Sequence, residues 1–133
     1  MRGAFAAGEK AKAYDFLKYY SKRRLLGDHV PYAVEAYPEG NQRHLSAESG
    51  LYCRIFTEGI LGIRPVGFST FNITPNLPIS WNFMRLKNIH AFGKIFDIEV
   101  IRKSGNRLTM HITANGKTQE YDLTEGKRTT INL

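Results

Sequence analysis

The sequence predicts an α+β fold, with an N-terminal helical hairpin followed by a small antiparallel β-sandwich. In the first part of the chain apolar residues recur at three- and four-residue steps, which is typical of amphipathic helices. After Pro65 they alternate with polar residues at a period of two, and turn sequences such as Asn115–Gly116 separate the alternating segments. We therefore place a boundary near Gly62–Val66, between a helical unit over residues 1–63 and a β-domain over residues 64–133.

The first helix is predicted from about Ala4 to Leu26, because Gly27 follows as a residue typical of helix ends. Its apolar stripe consists of Tyr14, Leu17, Ser21 and Leu25, widened by Phe16 and Tyr20. The second helix is predicted from Ser46, as N-cap, to the residues before Gly62. Its inner face consists of Leu51, Ile55, Phe56 and Ile60.

Two helices alone do not bury both of their faces, so we expect them to lie on the sheet or to be the last hairpin of a larger helical assembly. The opening of the chain inside a helix favours the second alternative.

Five or six short strands are predicted in the β-domain, joined mainly by hairpin turns. They cover residues 66–74, 81–89, 94–103, 107–114, 117–124 and 128–133. The connecting turns contain NLPIS, HAFG, SGN, NG and EG. Short antiparallel strands joined in this way are typical of a β-sandwich or a strongly twisted sheet.

Composition narrows the classes of partner. The formal net charge of +7 allows a nucleic-acid partner, but the basic residues at the end of the first helix complement its dipole and no nucleic-acid-binding motif accompanies them. The single Cys53 excludes an intramolecular disulfide and a cysteine-based zinc site. No apolar run approaches the length of a membrane span, and the start of the chain lacks the apolar core of a signal peptide. We expect no cofactor, metal, nucleic acid or membrane partner, and the compartment stays open.

The polar segment from Asp28 to Leu45, between the two helices, holds the candidate catalytic residues. Glu35 stands among apolar and aromatic neighbours, which would raise its proton affinity if they shield it from water, and Glu39 stands in a Pro-Glu-Gly turn. Two carboxylates allow acid and base chemistry, although the residues alone leave a plain surface loop open. His44 and Arg43 either satisfy the start of the second helix or contact a substrate hydroxyl. Trp81, Phe83 and Tyr52 either stack on sugar rings or pack in the core.

A series of short motifs over Val30 to Asp97 resembles a known family. The motifs are VEAY around Glu35, RHL around His44, GLYCRIFTEGILGI, VGF at 66–68 and FNITP at 71–75. In this order they resemble the C-terminal end of the (α/α)6-barrel, or six-hairpin, glycosidases, especially the α-L-rhamnosidase-like group. Val34 and Tyr37 stand where that group has tryptophans, and Arg43 stands where it has asparagine, so the preference for rhamnose is less well supported than the hydrolase class.

The resemblance implies a role for each loop residue. Glu35 would be the general base of an inverting reaction, with Glu39 as its rival, and His44, Arg43 and Tyr37 would contact the hydroxyls of an oligosaccharide or glycoside substrate. The general acid would come from an earlier loop of the barrel. The chain is therefore expected to be the C-terminal fragment of a glycoside hydrolase, periplasmic or extracellular if that enzyme is secreted. By itself it would be inactive, and it would associate with the upstream segment or with itself. The alternatives are a non-catalytic carbohydrate-binding or structural β-module and a basic nucleic-acid-binding protein.

Overall fold

Helices form the N-terminal part of the computed structural model, which describes residues 1–24 and 46–133. Helix α1 spans Arg2–Ala6, α2 spans Lys10–Arg24 and α3 spans Ser46–Arg54. A π-helix, Ile55–Ile60, continues α3 without a break. In the described part, no helix is long and apolar enough to cross a membrane.

The first predicted helix is divided in two at Gly8. Gly8 has a φ of +82°, and its N–H donates to the carbonyl of Phe5 at 3.0 Å while the N–H of Glu9 donates to the carbonyl of Ala4 at 3.0 Å. This pair of bonds is the Schellman motif, in which a left-handed glycine ends a helix. The prediction of one continuous helix from Ala4 was therefore wrong, because Gly8 stops α1 and lets the chain enter α2 in a new direction.

The π-helix changes which residues of the second helical segment are buried. The N–H of Leu61 donates to the carbonyl of Phe56 at 3.1 Å, five residues back. Because this wider turn aligns residues five apart, Ile55 and Ile60 both face the core, whereas Leu51 is 54% exposed. The prediction that Leu51 lies on the inner face was therefore wrong.

Seven strands follow the helices and form two antiparallel sheets, which confirms the predicted α+β class. The strands are β1 Arg64–Pro65, β2 Thr70–Ile73, β3 Phe83–Ala91, β4 Lys94–Arg102, β5 Arg107–Ala114, β6 Lys117–Thr124 and β7 Thr129–Asn132. One sheet has the order β1-β2-β7, and the other has the order β3-β4-β5-β6. The predicted bounds of β5 and β6 agree with the structure, and the predicted strand 66–74 is shorter than expected. Strand β1 was not predicted because it has only two residues.

The two sheets and the helices share one hydrophobic core. In the four-stranded sheet, β4 contributes every second residue to this core, namely Phe96, Ile98 and Val100, all of which are buried. Phe92 stacks on Phe71 of β2 at 5.5 Å between ring centroids and so joins the sheets. Among the described helical residues, the buried hydrophobic side chains are those of Phe5, Ala13, Leu17, Ile55 and Ile60. Although helix gives way to strand at Leu61–Arg64, side chains from both sides of that point pack together.

Gly62 allows the close approach between the end of the π-helix and the β-sheets. It has a φ of +62°, and a Cβ atom there would lie 2.5 Å from the carbonyl oxygen of Thr74. Two backbone bonds fix this contact: the N–H of Thr74 donates to Leu61 at 3.0 Å and the N–H of Asn76 donates to Ile60 at 2.6 Å. The segment 60–62 is therefore held beside residues 74–76, where one of the pockets described below forms.

Candidate functional site

The predicted catalytic and substrate-binding residues lie outside the described part of the chain. These are Glu35, Glu39, Tyr37, Arg43 and His44, all within residues 25–45. Their assignment stays a prediction from the sequence. The sites below are built from residues 1–22 and 50–133.

Trp81 and Tyr52, considered above as sugar platforms, take part in packing. Trp81 Nε1 donates to the hydroxyl of Tyr14 at 3.1 Å, and the two rings meet edge to face with centroids 5.8 Å apart. Tyr52 meets Phe56 edge to face at 5.3 Å, and its hydroxyl lies 2.9 Å from Ser21 Oγ. Both side chains are half-buried against the core. Phe83, in contrast, is 60% exposed.

A cavity that we call the α2 groove lies between α2 and the turn that joins β4 to β5. It has a volume of about 640 Å³. Its lining includes Lys10, Tyr14, Asp15, Lys18, Ile79, Arg102, Asn106 and Glu125. A cavity of this size falls in the range typical of small-molecule sites.

Glu125 lies in the α2 groove and binds two cations. Its side chain is only 4% exposed; Arg102 Nη1 donates to Oε2 at 2.8 Å, and Lys10 Nζ lies 3.2 Å from Oε1. Burial pushes the pKa of Glu125 upward, but the hydrogen bonds from Arg102 and Lys10 outweigh it and hold the pKa below its ordinary value. Glu125 is therefore ionised at neutral pH and neutralised by its partners, so it is suited to joining α2 to β4 and not to donating a proton.

Arg102 extends this cluster into the loop before β3. Besides Glu125, it donates to the carbonyls of Leu77 at 3.2 Å and Trp81 at 3.3 Å. On the other side of the groove, Lys18 Nζ lies 2.9 Å from Asp15 and 4.9 Å from the centroid of the Tyr14 ring. The hydrogen bond with Asp15 raises the pKa of Lys18. The charged groups of the groove are thus largely satisfied by one another.

A smaller cavity, which we call the Glu58 pocket, lies where the π-helix meets β1 and β2. It has a volume of about 280 Å³. Its lining consists of Ala6, Glu58, Gly59, Gly62, Arg64, Asn72, Thr74, Asn76 and Arg128. Polar groups from four parts of the chain therefore face one small space.

Three arginines surround Glu58. Arg54 contacts both of its carboxylate oxygens, Arg2 Nη1 lies 2.9 Å from Oε2, and Arg64 Nη1 lies 3.7 Å from Oε2. The hydrogen bond from Arg54, with the charges of all three arginines, lowers the pKa of Glu58 against a smaller opposing effect of burial. The Arg54–Glu58 spacing of four residues is a sequence signal of a helical ion pair, but Arg2 and Arg64 approach only through the fold.

The outer face of the four-stranded sheet carries a line of paired charges. Arg85, Glu99, His111 and Glu120 are successive register partners across β3 to β6. Arg85 binds Glu99, and His111 Nε2 lies 2.9 Å from Glu120 Oε2. Alternation predicted that His111 faces away from the core, and the structure places it on this outer face, half-exposed. The partners of His111 could not be read from the sequence because they depend on strand register.

Within residues 1–24 and 46–133, no group of three or more His, Cys, Asp and Glu residues is arranged to hold a metal ion. The comparisons with known proteins add no relative: no family model, curated protein or solved structure matches the chain. The proposals below therefore rest on the residues and their geometry, together with the motif resemblance described above.

Proposed function

We propose that the chain is the C-terminal part of an inverting, α-L-rhamnosidase-like glycoside hydrolase, to which it contributes a general-base loop and an accessory β-domain. The observation that carries this proposal is that apolar side chains of the helical part are exposed. Phe16 on α2 is 52% exposed and Leu51 on α3 is 54% exposed. Exposed apolar side chains can pack against another segment, and neighbouring helical hairpins of an α/α barrel would cover these two.

The order of secondary structure also supports the proposal. The motif GLYCRIFTEGILGI, which resembles the last barrel helix, begins within α3 and continues through the π-helix to Ile60. The following motif FNITP contains the last three residues of strand β2, and its Pro75 lies two residues beyond the end of that strand. Helix and strand therefore occur where the resemblance requires a helix and a strand, with Gly62 at the close contact between them.

Two of the described carboxylates, Glu58 and Glu125, agree with the separate origins of acid and base that the resemblance implies. The pKa values of Glu58 and Glu125 are both lowered by cationic neighbours, so each is ionised at neutral pH. Inverting hydrolysis needs a protonated acid as well as a base about 6.5–9.5 Å away. Neither of these two residues is suited to supply that proton, which agrees with a general acid located in an upstream helical loop.

The test uses an intact enzyme that carries this segment, with an aryl glycoside as substrate. Because Glu35 would deprotonate the attacking water, Glu35→Gln is expected to lower kcat by about 100-fold or more and to change KM little. Glu39→Gln is the matched control, since it makes the same change four residues away. NMR of the first product formed is expected to show an inverted anomeric configuration.

Each failure of this test has its own meaning. If Glu39→Gln abolishes turnover and Glu35→Gln does not, the enzyme class stands and the assignment of the base is wrong. If the intact protein cleaves no glycoside, or cleaves one with retention, the proposed function is wrong.

A carbohydrate-binding module is the second candidate, and the α2 groove is the observation that favours it. The groove combines Tyr14, an aromatic side chain, with hydrogen-bonding groups of Lys10 and Asn106. Titration of the isolated chain with oligosaccharides, followed by NMR, separates the two candidates. Saturable binding at the groove by the chain alone supports a binding module, whereas a barrel segment is expected to show none.

A further inference from the structure

The Glu58 pocket carries an excess of positive charge. Its lining includes one carboxylate, Glu58, and two guanidinium groups, Arg64 and Arg128. Arg2 and Arg54 reach the same carboxylate from outside the lining. Three arginines thus contact Glu58, and a fourth, Arg128, lines the same pocket, which leaves a favourable site for a further negative charge.

Arg64 and Arg128 keep unused hydrogen-bonding capacity. Arg54 occupies both oxygens of Glu58. Arg64 Nη1 donates to the carbonyl of Ile63 at 2.8 Å and stays 3.7 Å from Glu58. Among the residues that the structure describes, Arg128 has no ion pair. Since a guanidinium group carries five N–H donors in a planar fork, both arginines can bind the oxygens of a carboxylate, sulfate or phosphate group.

Asn76 adds a buried polar group to the pocket. Asn76 is only 7% exposed, and its Nδ2 donates to the carbonyl of Thr74 at 3.1 Å. Within the described ranges 1–24 and 46–133, its side-chain oxygen accepts no hydrogen bond. Because Asn76 lines the pocket and an amide oxygen has two acceptor positions, a ligand hydroxyl is a suitable donor to this oxygen.

Two glycines keep the pocket open. Gly59 packs against Phe5, whose Cδ2 would lie 3.1 Å from an added Cβ atom, and Gly62 packs against Thr74. Neither residue places a side chain into the space. At about 30 Å³ for each water, the 280 Å³ of the pocket equals the volume of about nine waters, enough for one small sugar derivative.

We propose that the Glu58 pocket binds a hydroxylated oxyanion, such as the carboxylate of a sugar acid or the phosphate or sulfate ester of a sugar. Arg64 and Arg128 bind the charged oxygens, and the side-chain oxygen of Asn76 accepts a hydrogen bond from a neighbouring hydroxyl. This pocket is separate from the predicted loop residues Glu35 and Glu39 in sequence, and its ligand binding does not depend on hydrolase activity.

The experiment titrates the 133-residue chain with glucuronate, glucose 6-phosphate, glucose 6-sulfate, inorganic phosphate and neutral glucose. Isothermal titration measures the affinity, and amide chemical shifts of Gly62, Thr74 and Asn76 report the place of binding. At least one of the three charged sugars is expected to bind and shift these amides, and glucose is not. Which of them binds most tightly distinguishes a sugar acid from a sugar ester.

Arg128→Gln is the decisive variant, because Arg128 lines the pocket and supports no described ion pair, so the fold is expected to be unaffected. It should weaken binding by about tenfold or more, the loss typical of a hydrogen bond to a charged group. Arg107→Gln is the matched control, since it removes an exposed arginine outside the pocket lining, and binding should change less than twofold.

Three results would overturn the proposal. In the first, none of the charged sugars binds or shifts the named amides. In the second, glucose binds as tightly as glucuronate and the two esters. In the third, Arg107→Gln weakens binding as much as Arg128→Gln, which would indicate general attraction by the net charge. If inorganic phosphate binds as tightly as glucose 6-phosphate, the assigned hydroxyl contact of Asn76 is wrong.

Discussion

Glu125→Gln tests how firmly the helices are tied to the β-domain. Glu125 is 4% exposed at its side chain and contacts Lys10 of α2 and Arg102 of β4. Removal of one member of a buried ion pair costs about 3–5 kcal/mol, because the remaining charge stays buried without a counter-charge. In this cluster Lys10 is 41% exposed and can move into water, and glutamine keeps one acceptor oxygen. We therefore expect the free energy of unfolding at pH 7 to fall by about 2–3 kcal/mol.

The pH dependence of this loss follows from the pKa of Glu125. Because that pKa is lowered in the folded state, the ionised carboxylate stabilises the fold above the ordinary glutamate pKa, about 4.3. The stabilisation is lost as the pH falls through the lowered folded value. The difference between the wild type and Glu125→Gln should therefore shrink steadily as the pH is lowered below about 4.3.

Urea denaturation followed by tryptophan fluorescence, at pH values from 7 downward, measures both effects. Glu120→Gln is the matched control: its side chain is 68% exposed, and an exposed ion pair is worth about 0–1 kcal/mol. A loss at pH 7 no larger than in the control would refute the reasoning. So would a loss that stays constant as Glu125 becomes protonated.

Two further predictions concern the contact at the end of the π-helix and the exposed apolar side chains of the helices. Gly62→Ala should lower the free energy of unfolding, measured by urea denaturation, by at least about 2 kcal/mol. The alanine would be strained in the left-handed backbone conformation, and its Cβ atom would lie 2.5 Å from a carbonyl oxygen. Gly105→Ala, at a φ of +57° with open space around it, should cost only the strain, and equal losses would contradict this account. The isolated chain should self-associate at micromolar concentration, as measured by light scattering. The double variant Phe16→Ser/Leu51→Ser should associate more weakly, since both side chains are more than half exposed. Ile79→Ser, at an exposed position in a loop, is the control. A wild-type mass of 15.1 kDa, that of a single chain, would contradict the prediction.

The β-domain could be predicted well from the sequence because its signals are local. Alternation and the turns at Gly105 and Asn115–Gly116 set the bounds of β5 and β6, which the structure reproduces. The helices were predicted less well, since their irregularities depend on contacts distant in sequence. From the sequence alone, Gly8 is compatible with the interior of a helix, and only the two hydrogen bonds of the Schellman motif show that it ends α1. The π-helix packs at Gly59 against Phe5, which lies more than fifty residues away in the sequence.

The charge clusters show the same limit for the functional sites. Sequence spacing suggests the Arg54–Glu58 pair, which lies within one helical segment. It cannot show that Arg2 and Arg64 approach the same carboxylate, or that Lys10 and Arg102 meet at Glu125. In both clusters one glutamate binds cations from helical and β segments. Both charge clusters therefore form where helices meet strands, and there the fold, more than any motif, brings the charged groups together.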